Sequence, residues 1–356
     1  MRHDPMPDLL LSPRRRRWLL AAGAAAGAAA LGTAAWRTRG PAGPVHSFGG
    51  EAMGSTWQLR LAGAGVDTSL ADAARAAVDA ALQGVERRMS TFDPASDIGR
   101  FNRASGTAPQ ALAADTLAVL AAGQRIAEAT GGAFDMTVAP LVGAWGFGVG
   151  ASGRGGAPTG DALARPVGHG QLVLDAAAGT ARPVVPGLQL DLSGIAKGHA
   201  VDLAAEALER LGITRYMVEA GGELRTRGHN GAGQPWQIAV EQPDAWPPRP
   251  RRVVPLDGLA MATSGDYRNF YELAGRRIHH EIDPRTRAPA AHRLASVTVV
   301  HPQCREADAL ATALFVLGPE AGLAWARARQ LAALFVLREP GSGLRDLATP
   351  AFDALG

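Results

Sequence analysis

The amino-acid sequence predicts an α+β fold in which antiparallel sheets are flanked by helices. Helical and strand periodicities mix without the regular βαβ alternation of a doubly wound fold, and no internal repeat is present. In the C-terminal half, one predicted strand directly follows another. The chain has 356 residues, of which 47% are hydrophobic, so it can form one large domain or two small ones around a substantial core.

Apolar periodicity places the elements along the chain. The first half predicts a strand at 53–62, helices at 70–89 and 116–129, and a Gly- and Pro-rich surface loop at 148–168. A strand at 188–192 is expected to run into a helix at 195–211. The second half predicts strands at 216–220, 236–241, 259–263, 295–301 and 331–337, and a helix at 307–317.

Residues 1–35 are typical of an export signal. Four consecutive arginines at 14–17 precede an uncharged, Ala-rich stretch at 18–35 that ends in small residues suited to cleavage. The arginines and the weakly apolar stretch favour the twin-arginine route, and an uncleaved signal anchor is the alternative. The Pro- and Gly-rich residues 36–44 are expected to form a linker to a functional domain at 45–356.

The basic character of the chain belongs to this leader. The leader carries a net charge of +3, which equals the net charge of the whole chain, so the rest is formally neutral. A neutral domain gives no support for nucleic-acid binding. The membrane is expected to be involved only through the N-terminal segment.

Lys197 is the only lysine in the chain, and every other cation among the 36 Lys and Arg residues is arginine. It lies where a predicted strand turns into a predicted helix. A lysine in the first helical turn is disfavoured by the positive end of the helix dipole unless an anion also binds there. Lys197 is therefore a candidate anion-binding residue, and a solvent-exposed lysine without a role is the alternative.

Asp308 and Thr312 are candidate ligands of a hard cation. They lie four residues apart on a predicted helix, so their side chains share one face. A carboxylate, a hydroxyl and a backbone carbonyl can form a Mg²⁺ shell that leaves places for water and phosphate oxygens. The alternative is that both residues have only local roles. Asp308 would then favour the dipole near the helix start, and the Thr312 hydroxyl would form a hydrogen bond with the preceding helical turn. His279 and His280 are neighbours on a predicted strand and point to opposite faces, which disfavours a zinc site.

The remaining polar and Gly-rich clusters together suit a flavin dinucleotide. Such a ligand requires planar apolar faces, Gly-rich backbone near a pyrophosphate and a few carboxylates. The sequence has no Gly-x-Gly-x-x-Gly after its first strand, so a Rossmann-type binding mode is disfavoured. The single cysteine, Cys304, excludes an intrachain disulfide and a cysteine-based metal site.

Several motifs in a fixed order make the sequence resemble the ApbE family of FAD:protein FMN transferases. The matching motifs are Met53-Gly54-Ser55-Thr56, Met89-Ser90-Thr91-Phe92-Asp93-Pro94, Gly131-Gly132-Ala133-Phe134-Asp135, Trp145-Gly146-Phe147-Gly148, Asp191-Leu192-Ser193-Gly194-Ile195-Ala196-Lys197-Gly198, Gly221-Gly222-Glu223, Thr263-Ser264-Gly265-Asp266-Tyr267, His280 with Asp283-Pro284-Arg285-Thr286, and Ala307-Asp308-Ala309-Leu310-Ala311-Thr312. The resemblance implies an ApbE-type fold related to the tunnelling fold. It also implies a periplasmic, Mg²⁺-dependent enzyme that moves FMN from FAD onto a Thr or Ser hydroxyl of a partner protein and releases AMP.

The resemblance also implies roles for individual residues. FAD would be contacted by Met53, Phe92, Ala133, Phe134, Asp135, Asp191 and Lys197, and Glu281 belongs to the loop expected to face the pyrophosphate. The Gly194 carbonyl, Asp308 and Thr312 would hold the metal. His280 would accept the proton of the attacking hydroxyl, and Asp283 or the metal alone are the alternatives.

Three positions depart from the family pattern. Glu281 replaces the usual Ile after the histidine, Arg287 replaces the usual Gly at the end of the Asp-Pro-Arg-Thr motif, and Phe92 stands where Tyr is commoner. The first two departures put the local geometry and the recognition of the partner in question. The third keeps the aromatic ring and removes one hydroxyl donor.

Two other functions fit the same motifs. If water replaces the acceptor hydroxyl, the protein is a Mg²⁺-dependent FAD pyrophosphatase that yields FMN and AMP. The other candidate is a non-catalytic periplasmic flavin-binding protein. For the transferase, the expected partner is an exported redox-pump or electron-transfer subunit with a Thr or Ser acceptor.

Overall fold

The computed structural model describes residues 44–149, 151, 157–158, 160–341 and 343–356. The predicted export signal and signal anchor at 1–35, and the linker apart from Pro44, lie outside the described residues. The predicted surface loop at 148–168 is described only in part and includes a short helix at Gly160–Leu163.

The described residues form eight helices and seventeen strands. The helices are α1 Thr68–Met89, α2 Asp97–Arg103, α3 Ala114–Ala129, α4 Ala139–Ala144, α5 Gly160–Leu163, α6 Ala196–Arg210, α7 Cys304–Ala328 and α8 Pro350–Asp353, with single 3₁₀ turns at Met136–Val138 and His169–Gln171. The strands are β1 Val45–Ala52, β2 Ser55–Ala62, β3 Gln110–Ala111, β4 Leu172–Asp175, β5 Thr180–Pro183, β6 Tyr216–Ala220, β7 Glu223–Arg227, β8 Trp236–Glu241, β9 Pro250–Leu256, β10 Ala260–Gly265, β11 Phe270–Leu273, β12 Arg276–His279, β13 Ile282–Asp283, β14 Ala288–Pro289, β15 Leu294–His301, β16 Ala332–Arg338 and β17 Leu344–Ala348.

An eight-stranded antiparallel sheet organises the molecule. Its strand order is β1-β2-β6-β7-β10-β15-β16-β17, and each neighbouring pair is antiparallel. A separate hairpin of β8 and β9 and three smaller sheets complete the strand structure of the described residues. This arrangement confirms the predicted α+β class with antiparallel sheets and flanking helices.

The two faces of the large sheet are buried in different cores. Because successive side chains in a strand point to opposite faces, Val218 and Ala262 pack with the helices, whereas Met217 and Met261 pack under the β8–β9 hairpin. Helix α6 contacts both α1 and α7 on the first face. α7 is long and apolar enough to cross a bilayer, but most of it is buried, which identifies it as a core helix.

Local chemistry explains the helix that begins the first core. The side chain of Asp67 accepts a hydrogen bond from the Leu70 amide at 2.8 Å and caps the start of α1. Arg87 and Arg88 lie in its last turn, where cations favour the helix dipole. The predicted helix at 70–89 is therefore correct to within two residues.

Three predicted elements need correction. The strand predicted at 53–62 is the second half of the β1–β2 hairpin, and Met53 and Gly54 form its turn with φ of 54° and 71°. Residues 188–192 do not form a strand, because the backbone of Leu190 pairs with the side chain of Asn102 instead of a neighbouring strand. The helix predicted at 307–317 extends to Ala328 across a kink at Gly318, which has φ of 82°.

Candidate active site

One cavity of about 670 Å³ brings most of the predicted site residues together. Its lining includes Phe92, Ala133, Phe134, Asp135, Asp191, Gly194, Lys197, His280, Glu281, Asp308 and Thr312. A second groove of about 530 Å³, between β1 and α1, contains none of the predicted site residues. The larger cavity is therefore the candidate active site, and its size falls within the range of small-molecule sites.

Lys197 lies in the first turn of α6 and forms an ion pair with Glu223, with 2.5 Å between Nζ and Oε2. Glu223 starts β7 immediately after the Gly221-Gly222 turn. Gly221 has φ of 67°, and a Cβ there would approach Lys197 Cδ to 3.2 Å, so glycine leaves space for the lysine. Burial alone lowers the pKa of Lys197, but the carboxylates of Glu223 and Asp308 raise it overall, so Lys197 is charged.

Ile195 occupies the capping position of α6, and its own apolar side chain makes no capping hydrogen bond. The start of this helix lines the cavity through Gly194 and Lys197. A helix N-terminus and an ammonium group both favour a bound anion. This geometry supports the interpretation of Lys197 as an anion-binding residue.

Helices α6 and α7 meet closely beside this anion site. The Gly198 amide donates a hydrogen bond to Asp308 Oδ2 at 2.9 Å. A Cβ on Gly194 would lie 3.1 Å from Thr312 Oγ1, so this hydroxyl lies close to the position that a side chain at 194 would occupy. The structure thus brings Gly194, Asp308 and Thr312 to one corner of the cavity.

The donors at this corner are the kind that Mg²⁺ prefers. They are a carboxylate, a hydroxyl and backbone oxygen, and within the described residues no Lys or Arg forms an ion pair with Asp308. Burial raises the pKa of Asp308, although Lys197 acts in the opposite direction. Among the described residues, no three His, Cys, Asp or Glu side chains are grouped to hold a metal, so any site here consists of mixed oxygen donors.

The imidazole of His280 lines the cavity. Its Nδ1 lies 3.3 Å from the Asn269 carbonyl oxygen, which assigns the ring proton to Nδ1. Its Nε2 lies 3.6 Å from Glu281 Oε1. Burial lowers the pKa of His280 below its usual value, so the imidazole is neutral near pH 7 and can accept a proton at Nε2.

His279 does not join this group. Its Nε2 lies 3.0 Å from the Ala290 carbonyl, and its ring packs edge-on against Phe315 with 5.6 Å between centroids. The two neighbouring histidines thus make contacts with different parts of the fold.

Asp135, Asp191 and Phe92 line the cavity in different ways. Asp135 accepts hydrogen bonds from the Thr137 amide and hydroxyl and from the His169 amide at 2.7–2.8 Å, which fixes its carboxylate. Asp191 accepts hydrogen bonds from the amide and hydroxyl of Ser193. Phe92 is 71% exposed at the rim, where its ring is accessible to a ligand.

Two predicted site residues lie away from the cavity lining. Met53 occupies the β1–β2 turn, where its amide donates to Glu86 Oε2 at 3.0 Å and its side chain packs against the core. Both carboxylate oxygens of Asp283 are bound by the Arg285 guanidinium, at 2.8 and 2.9 Å. The structure therefore does not bring Asp283 into position as a base, because this local ion pair occupies its carboxylate.

The structure shows that Arg287 joins two segments of the chain, a role that the sequence did not reveal. It adopts φ of 60°, a conformation that favours the glycine usual at this position. Its guanidinium donates to the carbonyl oxygens of Leu163 and Arg165, and its own carbonyl accepts from Trp145 Nε1 at 3.0 Å. Arg287 thus connects the 163–165 segment to the loop that follows the active-site histidine.

The sequence analysis did not assign a role to two acidic residues of the cavity. Glu223 appears there only as part of the Gly221-Gly222-Glu223 motif, yet burial raises its pKa while the charge of Lys197 acts in the opposite direction. Burial likewise raises the pKa of Glu219 to about 7, and Glu219 Oε1 accepts from the Gly222 amide at 2.7 Å. Glu219 and Glu223 lie on either side of the Gly221-Gly222 turn, and this spacing in the sequence could have indicated that both acids belong to the cavity.

The family model described as the ApbE family matches residues 53–335. The chain belongs to the ApbE family. A protein of Klebsiella pneumoniae named FAD:protein FMN transferase is 37% identical over 319 residues, covering 88% of this chain and 89% of that protein. A protein of the same name from Haemophilus influenzae is 40% identical over 301 residues, covering 83% and 87% of the two chains.

Solved structures agree with this assignment. The apo form of the flavinyl transferase ApbE from Pseudomonas stutzeri matches with a TM-score of 0.79 and 37% identity, covering 88% of this chain and 96% of that one. These comparisons confirm the predicted family, its fold and the prediction of a transferase enzyme.

Proposed function

We propose that this ApbE-family enzyme transfers FMN from FAD to a Thr or Ser hydroxyl of an exported partner protein, uses Mg²⁺ and releases AMP. One observation carries this proposal: a single cavity combines an ammonium group at a helix start, hard oxygen donors and a neutral imidazole. Relatives that are 37–40% identical over most of their length bear the name FAD:protein FMN transferase, which supports the same reaction.

The cavity has features suited to both ends of FAD. The buried ring of Phe134 and the exposed ring of Phe92 offer flat apolar faces for a flavin. Lys197 and the N-terminus of α6 offer positive charge for the pyrophosphate. We infer that the pyrophosphate binds between Lys197 and the corner formed by Gly194, Asp308 and Thr312.

The residues at that corner fit Mg²⁺. Asp308 provides a buried carboxylate without an ion-pair partner among the described residues, and Thr312 and Gly194 lie against each other beside it. When bound, Mg²⁺ neutralises charge on the pyrophosphate oxygens. Asp308 and Thr312 lie on α7, and Gly194 lies in the turn that leads into α6, which packs against α7, so the positions of the three donors are fixed before the substrate binds.

His280 would handle the proton of the acceptor. In the proposed reaction, the acceptor oxygen forms a bond to the FMN phosphorus, the bond to the AMP phosphate breaks, and the hydroxyl proton passes to His280 Nε2. The hydrogen bond from Nδ1 to the Asn269 carbonyl keeps Nε2 unprotonated for this role. Lys197 would stabilise the negative charge that develops on departing AMP.

Incubation with FAD, Mg²⁺ and a candidate acceptor tests this proposal by intact mass spectrometry. A suitable acceptor is an exported redox-pump or electron-transfer subunit encoded beside this gene. Transfer adds one FMN to the acceptor, and an acceptor variant without the hydroxyl stays unmodified. Free FMN and AMP without a modified acceptor would instead identify a pyrophosphatase, and unchanged FAD would identify a flavin carrier.

We also propose that the enzyme acts in the periplasm after export through the leader at 1–35. The arginines at 14–17 and the Ala-rich stretch that follows support this location. Retention of the leader as a signal anchor would attach the enzyme to the inner membrane. N-terminal sequencing of the exported enzyme distinguishes the cleaved form from the anchored form.

A further inference from the structure

The active-site cavity also borders one edge of the β8–β9 hairpin. In the part of the chain that the structure describes, β8 pairs with β9 alone, in a two-stranded sheet. Successive side chains of a strand point to opposite faces, yet all six residues of β8, Trp236–Glu241, line the cavity. Residues that point to opposite faces meet one cavity along the edge of their strand. The edge of β8 that lies away from β9 therefore faces the cavity.

The register of the hairpin shows which backbone groups this edge presents. In an antiparallel pair, opposite residues that exchange N–H···O bonds alternate with opposite residues whose N–H and C=O groups point away from the partner strand. Gln237 lies opposite Pro255, which has no N–H, so this pair is of the second kind. Ala239 and Val253 lie two residues along and form another such pair. The amides of Gln237 and Ala239 therefore point away from β9, toward the cavity.

The large sheet forms the opposite wall of the cavity beside β8. Residues of β2, β6 and β7 line the cavity there: Gln58, Arg60, Met217, Glu219 and Leu224. Met217 and Leu224 pack in one cluster with Trp236 and Ile238 of β8. The edge of β8 and the face of the large sheet thus enclose a groove that belongs to the active-site cavity.

This groove leads to the active-site histidine. Glu241 at the end of β8 forms an ion pair with the Arg268 guanidinium. The next residue, Asn269, holds His280 through its carbonyl oxygen, which lies 3.3 Å from Nδ1. A chain that lies along β8 toward Glu241 therefore approaches His280.

We propose that the edge of β8 binds the acceptor protein as an extended segment, which adds a strand to the β8–β9 hairpin and brings the Thr or Ser hydroxyl to His280. The inference rests on the proposed transferase function. A cavity of about 670 Å³ is too small for a folded domain, so the acceptor must insert a loop or a terminal segment. Edge strands bind extended peptides through main-chain hydrogen bonds, and this mode suits a substrate that is itself a polypeptide.

The nucleotide and a second copy of the enzyme are the other occupants to test. A strand edge repeats its donors and acceptors at every second residue, about 6.6 Å apart, which matches an extended polypeptide backbone. The groups proposed to hold FAD, Phe134 and Lys197 among them, do not belong to the hairpin. The acceptor is therefore the occupant that fits this edge.

Hydrogen exchange measured residue by residue tests the proposal on the full enzyme with FAD and Mg²⁺. The probe is the acceptor protein that becomes modified in the mass-spectrometric assay, carrying an Ala in place of its reacting residue so that no transfer occurs. We expect exchange of the Gln237 and Ala239 amides to slow about 10-fold at saturating acceptor, because each amide gains a hydrogen bond. The Val253 amide points away from β8 on the opposite edge and should keep its exchange rate.

A matched pair of proline variants tests the same edge by binding. Ala239→Pro removes an N–H that faces the cavity, and Val253→Pro removes the N–H of the residue directly opposite, which faces the other edge. Ala239→Pro should raise the dissociation constant of the acceptor about 10-fold and leave that of FAD unchanged. Val253→Pro should change neither. Melting temperatures show whether each variant folds, and the exchange measurement on the wild type decides if Ala239→Pro does not.

The outcomes separate this inference from the proposed function. If the acceptor becomes modified and neither amide gains protection, the acceptor docks elsewhere and the inference is overturned. Protection by FAD alone would assign the edge to the nucleotide, and protection that rises with enzyme concentration would assign it to a second copy; either result overturns the inference. If no acceptor is modified at all, the proposed function fails and the inference falls with it. Protection of Gln237 and Ala239 by the acceptor, without protection of Val253, supports the inference.

Discussion

Replacing Gly198 by alanine tests whether the close packing of α6 on α7 positions the active site. A Cβ at Gly198 would lie 2.4 Å from the Cys304 carbonyl oxygen and 2.8 Å from Asp308 Cβ, whereas ordinary contacts begin at 3.4 Å. The helices must therefore separate by about 1 Å, because the obstructing atoms belong to backbone and a buried side chain. Overpacking of this kind costs about 3 kcal/mol, and the better helix propensity of alanine offsets about 1 kcal/mol.

The expected net loss for Gly198→Ala is about 2 kcal/mol in the free energy of unfolding, measured by urea denaturation. A shift of about 1 Å in Asp308 should also lower FMN transfer roughly 100-fold. Gly84→Ala is the matched control, since Gly84 is also buried in a helix but a Cβ there meets only the flexible end of Arg88, at 3.3 Å. We expect Gly84→Ala to leave transfer unchanged and to gain up to about 1 kcal/mol. Wild-type stability and transfer in Gly198→Ala would refute the packing argument.

Three further variants test separate features of the chain. Lys197→Arg should lower FAD affinity or turnover in a titration or rate assay, because a planar guanidinium fits poorly where a compact ammonium pairs with Glu223 and, in the proposed complex, also contacts phosphate; wild-type behaviour would contradict this role. Burial lowers the pKa of His199 to about 4, below its ordinary value of 6.5, so this group alone should contribute a loss of about 3 kcal/mol to the wild-type stability as the pH drops from 6.5 to 4. In His199→Gln this contribution should be missing from the urea-denaturation profile, and an unchanged pH dependence would show that His199 is not responsible. Replacing the four arginines at 14–17 by lysine should leave the precursor in the cytoplasm by cell fractionation, and normal periplasmic accumulation would refute the twin-arginine prediction.

Elements with strong local periodicity could be predicted from the sequence. The helix α1 and the buried strands β6 and β16 carry regular apolar patterns, so their positions agree with the prediction to within two residues. The spacing of Asp308 and Thr312 also placed them correctly on one helix. In each case the information lies within a few residues of the element itself.

Features that depend on distant contacts could not be predicted in the same way. β1 is mostly exposed and contains Gly49 and Gly50, so it lacks an apolar alternation, and only its pairing with β2 makes it a strand. The pairing of Lys197 with Glu223 joins a helix start to a turn between strands, and no local pattern specifies it. The segment at 188–192 has the apolar composition of a strand, but the side chain of Asn102 binds its backbone.

The contact between α6 and α7 also has a consequence for the order of events during synthesis. The hydrogen bond from Gly198 to Asp308 joins residues that are 110 positions apart, and α7 begins only at Cys304. Until α7 emerges from the ribosome, the nascent chain contains the α6 side of the site but lacks Asp308 and Thr312. Contacts of such high sequence separation form late and slow the folding of a domain. The corner formed by Gly194, Asp308 and Thr312 can therefore be completed only after α7 has been made, so FAD bound in the proposed manner would mark a chain whose two helices have already packed together.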